Sequence, residues 1–246
     1  VVGGSTGLTG APVLTALASL RAGAGLTIMC VPRSLNLVFE AQALEVVTKP
    51  CADIDGFLTQ EAFNEIREAA SKADAIVIGP GLGRAETTTQ LVRELVRETT
   101  LPVVLDADGL WAFNGCLEML DERCAPTVLT PHSGELGRLI NKKSEDIETA
   151  RLRAAQSAAN RTSSVVVLKG SDTIIADGTS SGGDTFVSDL GTPGLATAGS
   201  GDVLAGAIAS SIAKGMAPAH AAAAGVTLTG VAARSAGNRL GMPGLI

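Results

Sequence analysis

The segment GTPGLATAGSGDVLAG, residues 191–206, combines small residues, one carboxylate and the start of an apolar stretch. Its central turn is expected to direct the backbone N–H groups of Gly199, Ser200 and Gly201 toward one point, and the first N–H groups of the helix that follows add to that field. The segment therefore predicts an anion hole for a phosphate group, with Asp202 beside it as a candidate base for a substrate hydroxyl. The alternative is a glycine-rich turn in which Asp202 is an ordinary N-cap.

Composition indicates a globular α/β protein and argues against polyanionic partners. The chain has 246 residues, 46% of them hydrophobic, but only 2% are aromatic and none is Tyr. We therefore expect a core of Ala, Val, Leu and Ile, with close helix–sheet contacts at Gly and Ala. The net charge is −6 and no basic run is longer than Lys142-Lys143, so neither nucleic acid nor an anionic membrane surface is an expected partner.

The cysteines and the longest uncharged stretch predict a cytoplasmic location. The four cysteines form no C-x-x-C pair and only two histidines are present, so free thiols in a reducing compartment are expected rather than a structural zinc site. Residues 215–233 carry no formal charge but contain Pro, His, Thr and Gly, which is typical of a buried helix rather than a membrane span. Because Val1 falls in an expected strand that leads to Gly3-Gly4, we also expect further sequence upstream.

Short apolar runs alternate with helical patterns along the whole chain, without a linker or a repeat. This alternation predicts one doubly wound domain, with a mainly parallel central sheet and helices on both faces, whose ligands bind beyond the C-terminal ends of the strands. The predicted strands are Leu26–Val31, Leu44–Val47, Ala75–Gly79, Pro102–Leu105, Thr127–Leu129, Val165–Leu168, Thr173–Ala176 and Thr185–Val187. The predicted helices are Ala11–Ala22, Gln60–Ala70, Thr87–Glu98, Ser133–Ile140, Glu145–Ala159, Asp202–Lys214 and Pro218–Gly237.

Two further glycine-rich segments follow predicted strands. GGSTGLTGAP at 3–12 and GPGLG at 79–83 are interpreted as loops that let a ligand approach the backbone closely, and tight strand-to-helix turns are the alternative. The first does not have the spacing of a dinucleotide fingerprint, and no P-loop motif occurs in the chain.

Polar residues end three more apolar strands. In LDAD at 105–108, Asp106 is the candidate for magnesium or a polar ligand, whereas Asp108 is expected to cap the next helix. His132, three residues before Glu135 in TPHSGE, is a candidate ligand contact. Lys169, in KGSDT at 169–173, fits a contact to phosphate or ribose, with a surface charge as the alternative.

In this order, these six segments resemble the ADP-dependent NAD(P)H-hydrate dehydratase family of the ribokinase-like superfamily. The resemblance covers essentially the whole chain, and its most specific part is GLATxGSGDVLAG at 194–206. It implies a single ribokinase-like domain over 1–246 that removes water from the 6S form of hydrated NADH or NADPH. The implied co-substrate is ADP (ATP in some members), and the implied cofactor is Mg²⁺.

The resemblance also implies a role for each matching residue. Asp202 would act on the substrate hydroxyl, and Glu135 would help to hold magnesium, although His132 replaces the Asn of the superfamily's magnesium loop. The residues implied to contact the hydrated dinucleotide are Ala11, Gly81, His132 and Asp202. The residues implied to contact the adenine nucleotide are Lys169, Gly170, Ser171, Asp172, Thr173 and Gly201.

The chain departs from its relatives at three positions in these motifs. Leu8 stands where many relatives carry Tyr, Thr192 where they carry Asn, and Ser133 where Pro is frequent. Leu8 weakens an expected stacking contact and Thr192 alters a polar one, but neither position touches the expected base.

The resemblance further implies a homo-oligomer, for example a tetramer, and functional pairing with an NAD(P)H-hydrate epimerase, which some relatives carry as an N-terminal domain.

The sequence leaves two other functions open. A small-molecule kinase of the same superfamily would use the same anion hole and base, and it would release a stable phosphorylated product. The other is a catalytically silent nucleotide-binding module, but the intact Gly201-Asp202 argues against it.

Overall fold

A computed structural model describes residues 1–179 and 183–242. The remaining residues of the predicted domain, 180–182 and 243–246, lie outside the described residues. The strands are β1 Ile28–Pro32, β2 Val47–Cys51, β3 Asp53–Ile54, β4 Phe57–Leu58, β5 Ile76–Ile78, β6 Val103–Leu105, β7 Thr127–Leu129, β8 Val165–Leu168, β9 Thr173–Asp177 and β10 Thr185–Ser188. The helices are α1 Gly10–Arg21, α2 Asn36–Gln42, α3 Phe63–Ala70, α4 Glu86–Glu98, α5 Asp108–Trp111, α6 Ser133–Leu139, α7 Ser144–Thr149, α8 Arg151–Thr162, α9 Ser200–Ala213 and α10 Pro218–Leu240.

The central sheet is mainly parallel, as predicted. Its six strands lie in the order β10-β9-β8-β7-β6-β5, where β5 to β8 run parallel and β9 and β10 are antiparallel additions at one edge. Val2 pairs in parallel with both Cys30 of β1 and Ile78 of β5, so the first residues of the chain connect the β1–β2 pair to the main sheet. Along the parallel part of the sheet, β5, β6, β7 and β8 are neighbours in chain order. Their C-terminal ends therefore lie at the same edge of the sheet.

Alternate residues of each parallel strand face opposite layers of helices. In β8, Val165 and Val167 pack with α9 and α10, whereas Val166 and Leu168 pack with the helices of the other face. Side chains alternate across a strand, so a continuously apolar strand is required wherever both faces are covered. This arrangement confirms the prediction of helices on both faces.

Small residues also allow neighbouring helices to approach each other closely, a contact that the composition did not specify. A Cβ added to Gly206 in α9 would lie 2.2 Å from the carbonyl oxygen of Thr15 in α1. One added to Gly225 in α10 would lie 2.6 Å from a side-chain carbon of Ile208 in α9. The low aromatic content is therefore matched by tight backbone packing rather than by large side chains.

Two of the predicted elements were placed wrongly. The predicted strand Leu44–Val47 overlaps β2 at one residue only, because Leu44 is 88% exposed and the paired run continues to Cys51 along β1. The predicted helix Glu145–Ala159 is two helices, α7 and α8, because Ala150 leaves the helical region with φ −139° and ψ 43°.

Sequence reasoning also missed four elements, the short strands β3 and β4 and the helices α2 and α5. Within the described part of the chain, no helix is both long enough and apolar enough to cross a membrane. All four cysteines are free, as predicted.

Candidate active site

The ends of the parallel strands bring the polar motifs to one edge of the sheet. Residues 79–83 follow β5, Asp106 follows β6, residues 130–132 follow β7 and Lys169 follows β8. The N-terminus of α9 approaches the same edge, since a Cβ added to Gly201 would lie 3.2 Å from Lys169 Nζ and 3.6 Å from Asp106 Oδ2. The motifs that follow β6 and β8 therefore lie beyond the C-terminal ends of these strands, where ligand-binding loops are expected.

Asp202 lies in the first turn of α9 rather than at its N-cap. The N-cap is Gly199, which adopts a left-handed conformation with φ 90°, and α9 begins two residues before its predicted start. Burial raises the pKa of Asp202 to about 7, and the charge of Asp106 adds to this shift while Lys169 opposes it. A carboxylate with a pKa near 7 is suited to accept a proton at neutral pH. Because Gly199 is the N-cap of α9, the alternative in which Asp202 is the N-cap is wrong.

Backbone N–H groups at the start of α9 are available to an anion. Among the described residues, the N–H groups of Gly199, Gly201 and Asp202 have no hydrogen-bond acceptor, while Ser200 N donates to Thr197 O at a long 3.5 Å. The Ser200 hydroxyl donates to Leu195 O at 2.8 Å, which holds the preceding turn. The predicted hole thus has two of its three N–H groups free, and Asp202 N is a further donor that the prediction did not include.

Lys169 lies between two carboxylates. Its Nζ donates to Asp106 Oδ1 at 2.8 Å and lies 3.8 Å from Glu135 Oε2. Asp106 is buried, with 2% exposure, and it also accepts a hydrogen bond of 2.7 Å from Thr130 Oγ1. Burial alone would lower the pKa of Lys169, but the charges of Asp106 and Glu135 outweigh it, so the pKa is raised. Lys169 therefore stays protonated at the mouth of the anion hole.

His132 and Glu135 form a capping box at the start of α6. His132 Nδ1 accepts from Gly134 N at 3.0 Å, and Glu135 Oε2 accepts from His132 N at 2.8 Å. The His132 side chain is 54% exposed, so its outer face is open to a ligand. Sequence reasoning identified both residues but did not foresee that they cap the same helix.

The two predicted magnesium residues each keep one free carboxylate oxygen. Asp106 Oδ2 and Glu135 Oε1 make no hydrogen bond within the described residues, whereas the partner oxygens are engaged by Lys169, Thr130 and the α6 cap. In the same described part of the chain, no group of three or more His, Cys, Asp or Glu forms a complete metal site. This donor set fits a Mg²⁺ ion that is held mainly by phosphate oxygens and water, as is usual for this ion.

The segment 169–173 lines one wall of a cavity of about 470 Å³. Gly191 to Ala196 and the middle of α10 form the other walls, and Gly201 joins this cavity to the anion hole. Of the predicted nucleotide contacts, Lys169, Gly170, Ser171, Thr173 and Gly201 line it. Asp172 does not line the cavity, and its carbonyl accepts from Arg151 instead. The cavity is large enough for a small-molecule ligand.

Arg151 is a structural residue that the sequence gave no reason to single out. Its guanidinium donates to the carbonyls of Leu168, Lys169 and Asp172 at 3.1–3.2 Å, and to Ser133 Oγ at 3.0 Å. It therefore fixes the segment that lines the cavity to the start of α6. These four partners lie 17 to 21 residues away along the chain, and only the further bond to Glu148 is local, so no sequence pattern indicates the role.

The other two glycine-rich loops pack on each other. Ser5 Oγ donates to Gly81 O at 2.8 Å, and Gly4 N donates to Pro80 O at 2.9 Å. A Cβ on Gly81 would lie 2.4 Å from Leu8 O and 3.3 Å from the Cβ of Ala11, so the two predicted substrate contacts are neighbours.

Most of these glycines face the chain itself. Added Cβ atoms on Gly3, Gly4, Gly79 and Gly83 would all come within 3.0 Å of the protein's own atoms. The tight-turn alternative therefore explains these positions, and only Gly7 and Gly10 of the two loops face open space.

Asp108 does not cap the helix that it begins, so the expectation for this residue was wrong. Its carboxylate accepts from Gly83 N at 3.0 Å and from Arg84 Nε at 2.9 Å. Ala107, with φ 49°, turns the chain sharply, so that Asp106 binds Lys169 while Asp108 binds the loop after β5. A non-glycine residue with positive φ is uncommon, and such conformations cluster at functional sites.

The sheet, its covering helices and the ligand loops at one edge define a ribokinase-like fold. A ribokinase-like superfamily protein from Enterococcus faecalis has a similar structure, with a TM-score of 0.78 and 26% identity, over 96% of this chain and 78% of that chain.

The profile of the NAD(P)H-hydrate dehydratase family matches residues 1–245, so the chain belongs to that family. Its sequence is 44% identical to a bifunctional NAD(P)H-hydrate repair enzyme, Nnr, from Salinibacter ruber over 240 residues, which is 96% of this chain and 43% of that protein. The chain thus spans less than half the length of this relative.

A solved structure of an ADP/ATP-dependent NAD(P)H-hydrate dehydratase from Bacillus subtilis is also similar. It has a TM-score of 0.76 and 28% identity, over 95% of this chain and 80% of that chain. That protein was co-crystallised with ATP and Mg²⁺ and soaked with CoA.

Proposed function

We propose that this chain catalyses the ADP-dependent dehydration of the 6S form of hydrated NADH or NADPH, with release of AMP and phosphate. The observation that carries the proposal is the position of Asp202, whose pKa is raised to about 7, in the first turn of α9 beside unbonded N–H groups. Family membership supplies the substrate class.

Hydroxide is a poor leaving group, so the C6 hydroxyl has to be converted into a phosphate ester first. The hydroxyl oxygen attacks the terminal phosphorus of ADP while Asp202 accepts the hydroxyl proton, and AMP leaves with the electrons of the broken P–O bond. The N–H groups of Gly199 and Gly201 and the ammonium of Lys169 stabilise the charge on the transferring phosphoryl group.

The second step breaks the C6–O bond. The ring nitrogen donates its electron pair, phosphate departs with the bonding electrons, and C5 loses a proton to solvent water to give the reduced nicotinamide. The overall products are NADH or NADPH, AMP and phosphate, which balance ADP and the hydrated substrate. A Mg²⁺ ion held through Asp106 Oδ2 and Glu135 Oε1, directly or through water, would neutralise phosphate charge in this site.

The cavity beside Gly201 is the proposed position of the adenine nucleotide, with Lys169 to Thr173 as one wall. The loops at 3–12 and 79–83 are the proposed position of the hydrated dinucleotide, and His132 is a further proposed contact. The same proposal predicts a homo-oligomer and a cytoplasmic location. It also predicts functional pairing with an epimerase that supplies the 6S form.

The test is to mix the protein with hydrated NADH, Mg²⁺ and ADP and to follow the absorbance of reduced nicotinamide, with ATP and nucleotide-free controls. We expect an ADP-dependent rise with AMP and phosphate formed in equal amounts. A folded protein that gives no rise with either nucleotide contradicts the proposal. Transfer of phosphate to a hydroxylated acceptor to give a stable product would identify a small-molecule kinase instead.

A further inference from the structure

Arg84 directly follows the glycine-rich turn after β5, and its guanidinium is fixed from two sides. The Cζ atom lies 4.3 Å from the ring centroid of Trp111, and Nε donates to Asp108 Oδ1 at 2.9 Å. The other oxygen of Asp108 accepts from Gly83 N, so the turn, the carboxylate and the aromatic ring form one connected unit. Stacking on an aromatic face and an ion pair together hold the plane of an arginine in one orientation.

The binding capacity of this guanidinium is largely unused. Within residues 1–179 and 183–242, the two terminal NH₂ groups of Arg84 donate no hydrogen bond, and the side chain is 53% exposed. A guanidinium presents its terminal N–H groups as a planar fork that matches two oxygens of a phosphate group. A fixed and unshared fork on the surface is therefore suited to bind a phosphate.

The same unit lies near the proposed base. Asp108, the partner of Arg84, contributes through its charge to the raised pKa of Asp202, so the two carboxylates are close enough to interact. A Cβ added to Gly81, two residues before Gly83, would lie 3.3 Å from the Cβ of Ala11 in the first loop. Arg84 therefore borders the region in which the hydrated dinucleotide is placed.

The charges at this edge favour a further cation that faces an anionic substrate. Asp106, Asp108, Glu135 and Asp202 are all acidic, and Lys169 is already engaged by Asp106 and Glu135. A dinucleotide that carries negative phosphates would be repelled by this surface unless a positive group faced it.

We propose that Arg84, held on Trp111, binds a phosphate group of the dinucleotide substrate. This inference rests on the proposed function and names a binding residue that the family motifs do not include. Two phosphate sources have the required chemistry: the pyrophosphate, which hydrated NADH and hydrated NADPH share, and the 2′-phosphate, which only hydrated NADPH carries. The experiment separates them.

Trp111 makes a direct measurement possible, because it is the single Trp of a chain that has no Tyr. Its fluorescence should change when a ligand reaches Arg84. NAD⁺ and NADP⁺ are suitable probes because they carry the same phosphates as the hydrated dinucleotides but lack the C6 hydroxyl on which the proposed reaction depends. Each is titrated into the unsubstituted protein, Arg84→Gln, Arg84→Lys and the control Arg67→Gln. Arg67 stacks on Phe63 with 5.7 Å between Cζ and the ring centroid, but it lies in the last turn of α3, away from the ligand loops.

We expect Arg84→Gln to weaken binding of the phosphate-bearing probe by about ten- to hundredfold, the range of a charge-assisted hydrogen bond. Arg84→Lys should keep part of the affinity, since it retains the charge but loses the fork, and Arg67→Gln should bind as the unsubstituted protein does. A loss confined to NADP⁺ identifies the 2′-phosphate, and an equal loss for both probes identifies the pyrophosphate. Equal affinities of Arg84→Gln and Arg67→Gln for both probes would overturn the inference.

Steady-state kinetics distinguish this inference from the proposed function. If the dehydratase activity is present, Arg84→Gln should raise KM for the hydrated dinucleotide by the same factor as the probe affinity and leave kcat and KM for ADP unchanged. A fall in kcat with unchanged KM would contradict a binding role for Arg84. Absence of turnover in the unsubstituted protein would refute the proposed function, while the fluorescence titration would still decide whether Arg84 binds phosphate.

Discussion

The two glycine-rich turns at 79–83 and 199–201 look alike in sequence and differ in what their glycines face. In the first, added Cβ atoms would meet Asp106 O at 1.8 Å from Gly79 and Leu8 O at 2.4 Å from Gly81. In the second, Gly201 faces the charged ends of Lys169 and Asp106, and its N–H has no acceptor among the described residues. Glycine in the first turn serves packing. In the second turn, a Cβ added to Gly199 would lie 2.6 Å from Leu14 Cδ1, whereas Gly201 keeps its backbone donor open to a ligand.

The largest expected effect in the second turn comes from Asp202→Asn. The amide cannot accept the hydroxyl proton, so kcat should fall by about 10²–10⁴-fold, the range for loss of a general base. ADP affinity, measured by calorimetry, should change little because the cavity residues and the N–H groups are untouched. Normal turnover by this variant would show that Asp202 is not the base.

Gly79→Ala is the corresponding change in the first turn, and its effect should be on stability. Gly79 has φ 134° and lies against the backbone of Asp106, so a methyl group adds both strain and overlap. We expect a loss of at least about 3 kcal/mol in the free energy of unfolding, measured by chemical denaturation.

Gly10→Ala is the matched control for Gly79→Ala, because Gly10, the first residue of α1 after the other loop, has no atom within 4 Å of an added Cβ. It should be neutral or stabilise by up to about 1 kcal/mol, since alanine reduces the freedom of the unfolded chain. Similar losses in both variants would contradict the difference between packed and open glycines.

Gly201→Ala should lower activity more than stability. Its Cβ would lie 3.2 Å from Lys169 Nζ, the far end of a flexible side chain, so the ammonium can move rather than the backbone. We expect kcat to fall by about tenfold or more, as phosphate stabilisation is disturbed, with the free energy of unfolding changed by less than about 1 kcal/mol. A loss of stability as large as that of Gly79→Ala would show that Gly201, like Gly79, is needed for packing.

The pH dependence of the unsubstituted protein should reflect the buried carboxyl of α9. Because the pKa of Asp202 is raised to about 7, kcat/KM should rise about tenfold per pH unit below pH 7 and level off above it. A profile that is flat between pH 5 and pH 8 would contradict this assignment.

The same pKa shift predicts a smaller effect on stability. In the native state the raised pKa keeps Asp202 protonated at pH values where the unfolded chain has lost the proton, so stability falls between about pH 4 and pH 7. Asp202→Asn removes this penalty, so its Tm should exceed that of the unsubstituted protein above pH 7 and match it near pH 4. Thermal unfolding at the two pH values, followed by circular dichroism, measures the difference.

Local patterns predicted the buried part of the sheet well. The predicted bounds of β7 and β8 match the structure, because a strand covered on both faces needs a continuous apolar run that is easy to recognise. The prediction failed at β2, which lies at an edge and contains Lys49 and Pro50, since pairing with β1 rather than hydrophobicity defines that strand. The helix boundary at Ala150 was missed for a similar reason, because no Gly or Pro marks it.

Local patterns singled out residues of the candidate site but not the contacts between them. Asp202 and Lys169 stand out because a charged group begins an apolar helix or follows an apolar strand, whereas the role of Glu135 came from the family resemblance. Arg151 and Arg84 were not identified, since a surface arginine has the same appearance whether or not it binds distant carbonyls or an aromatic ring.

The sequence by itself determined the α/β class, the edge of the sheet that carries the ligand loops and the family to which the chain belongs, because these depend on the order of local patterns. Only the tertiary structure decided which glycines pack and which stay open, that Asp106 holds Lys169 rather than facing solvent, and that Asp202 is buried enough for its pKa to reach about 7. The physical reason is that burial and charge depend on residues from several elements at once. The charged groups that shift the pKa of Asp202 come from the ends of β6 and β8 and from α6, and only folding places them together.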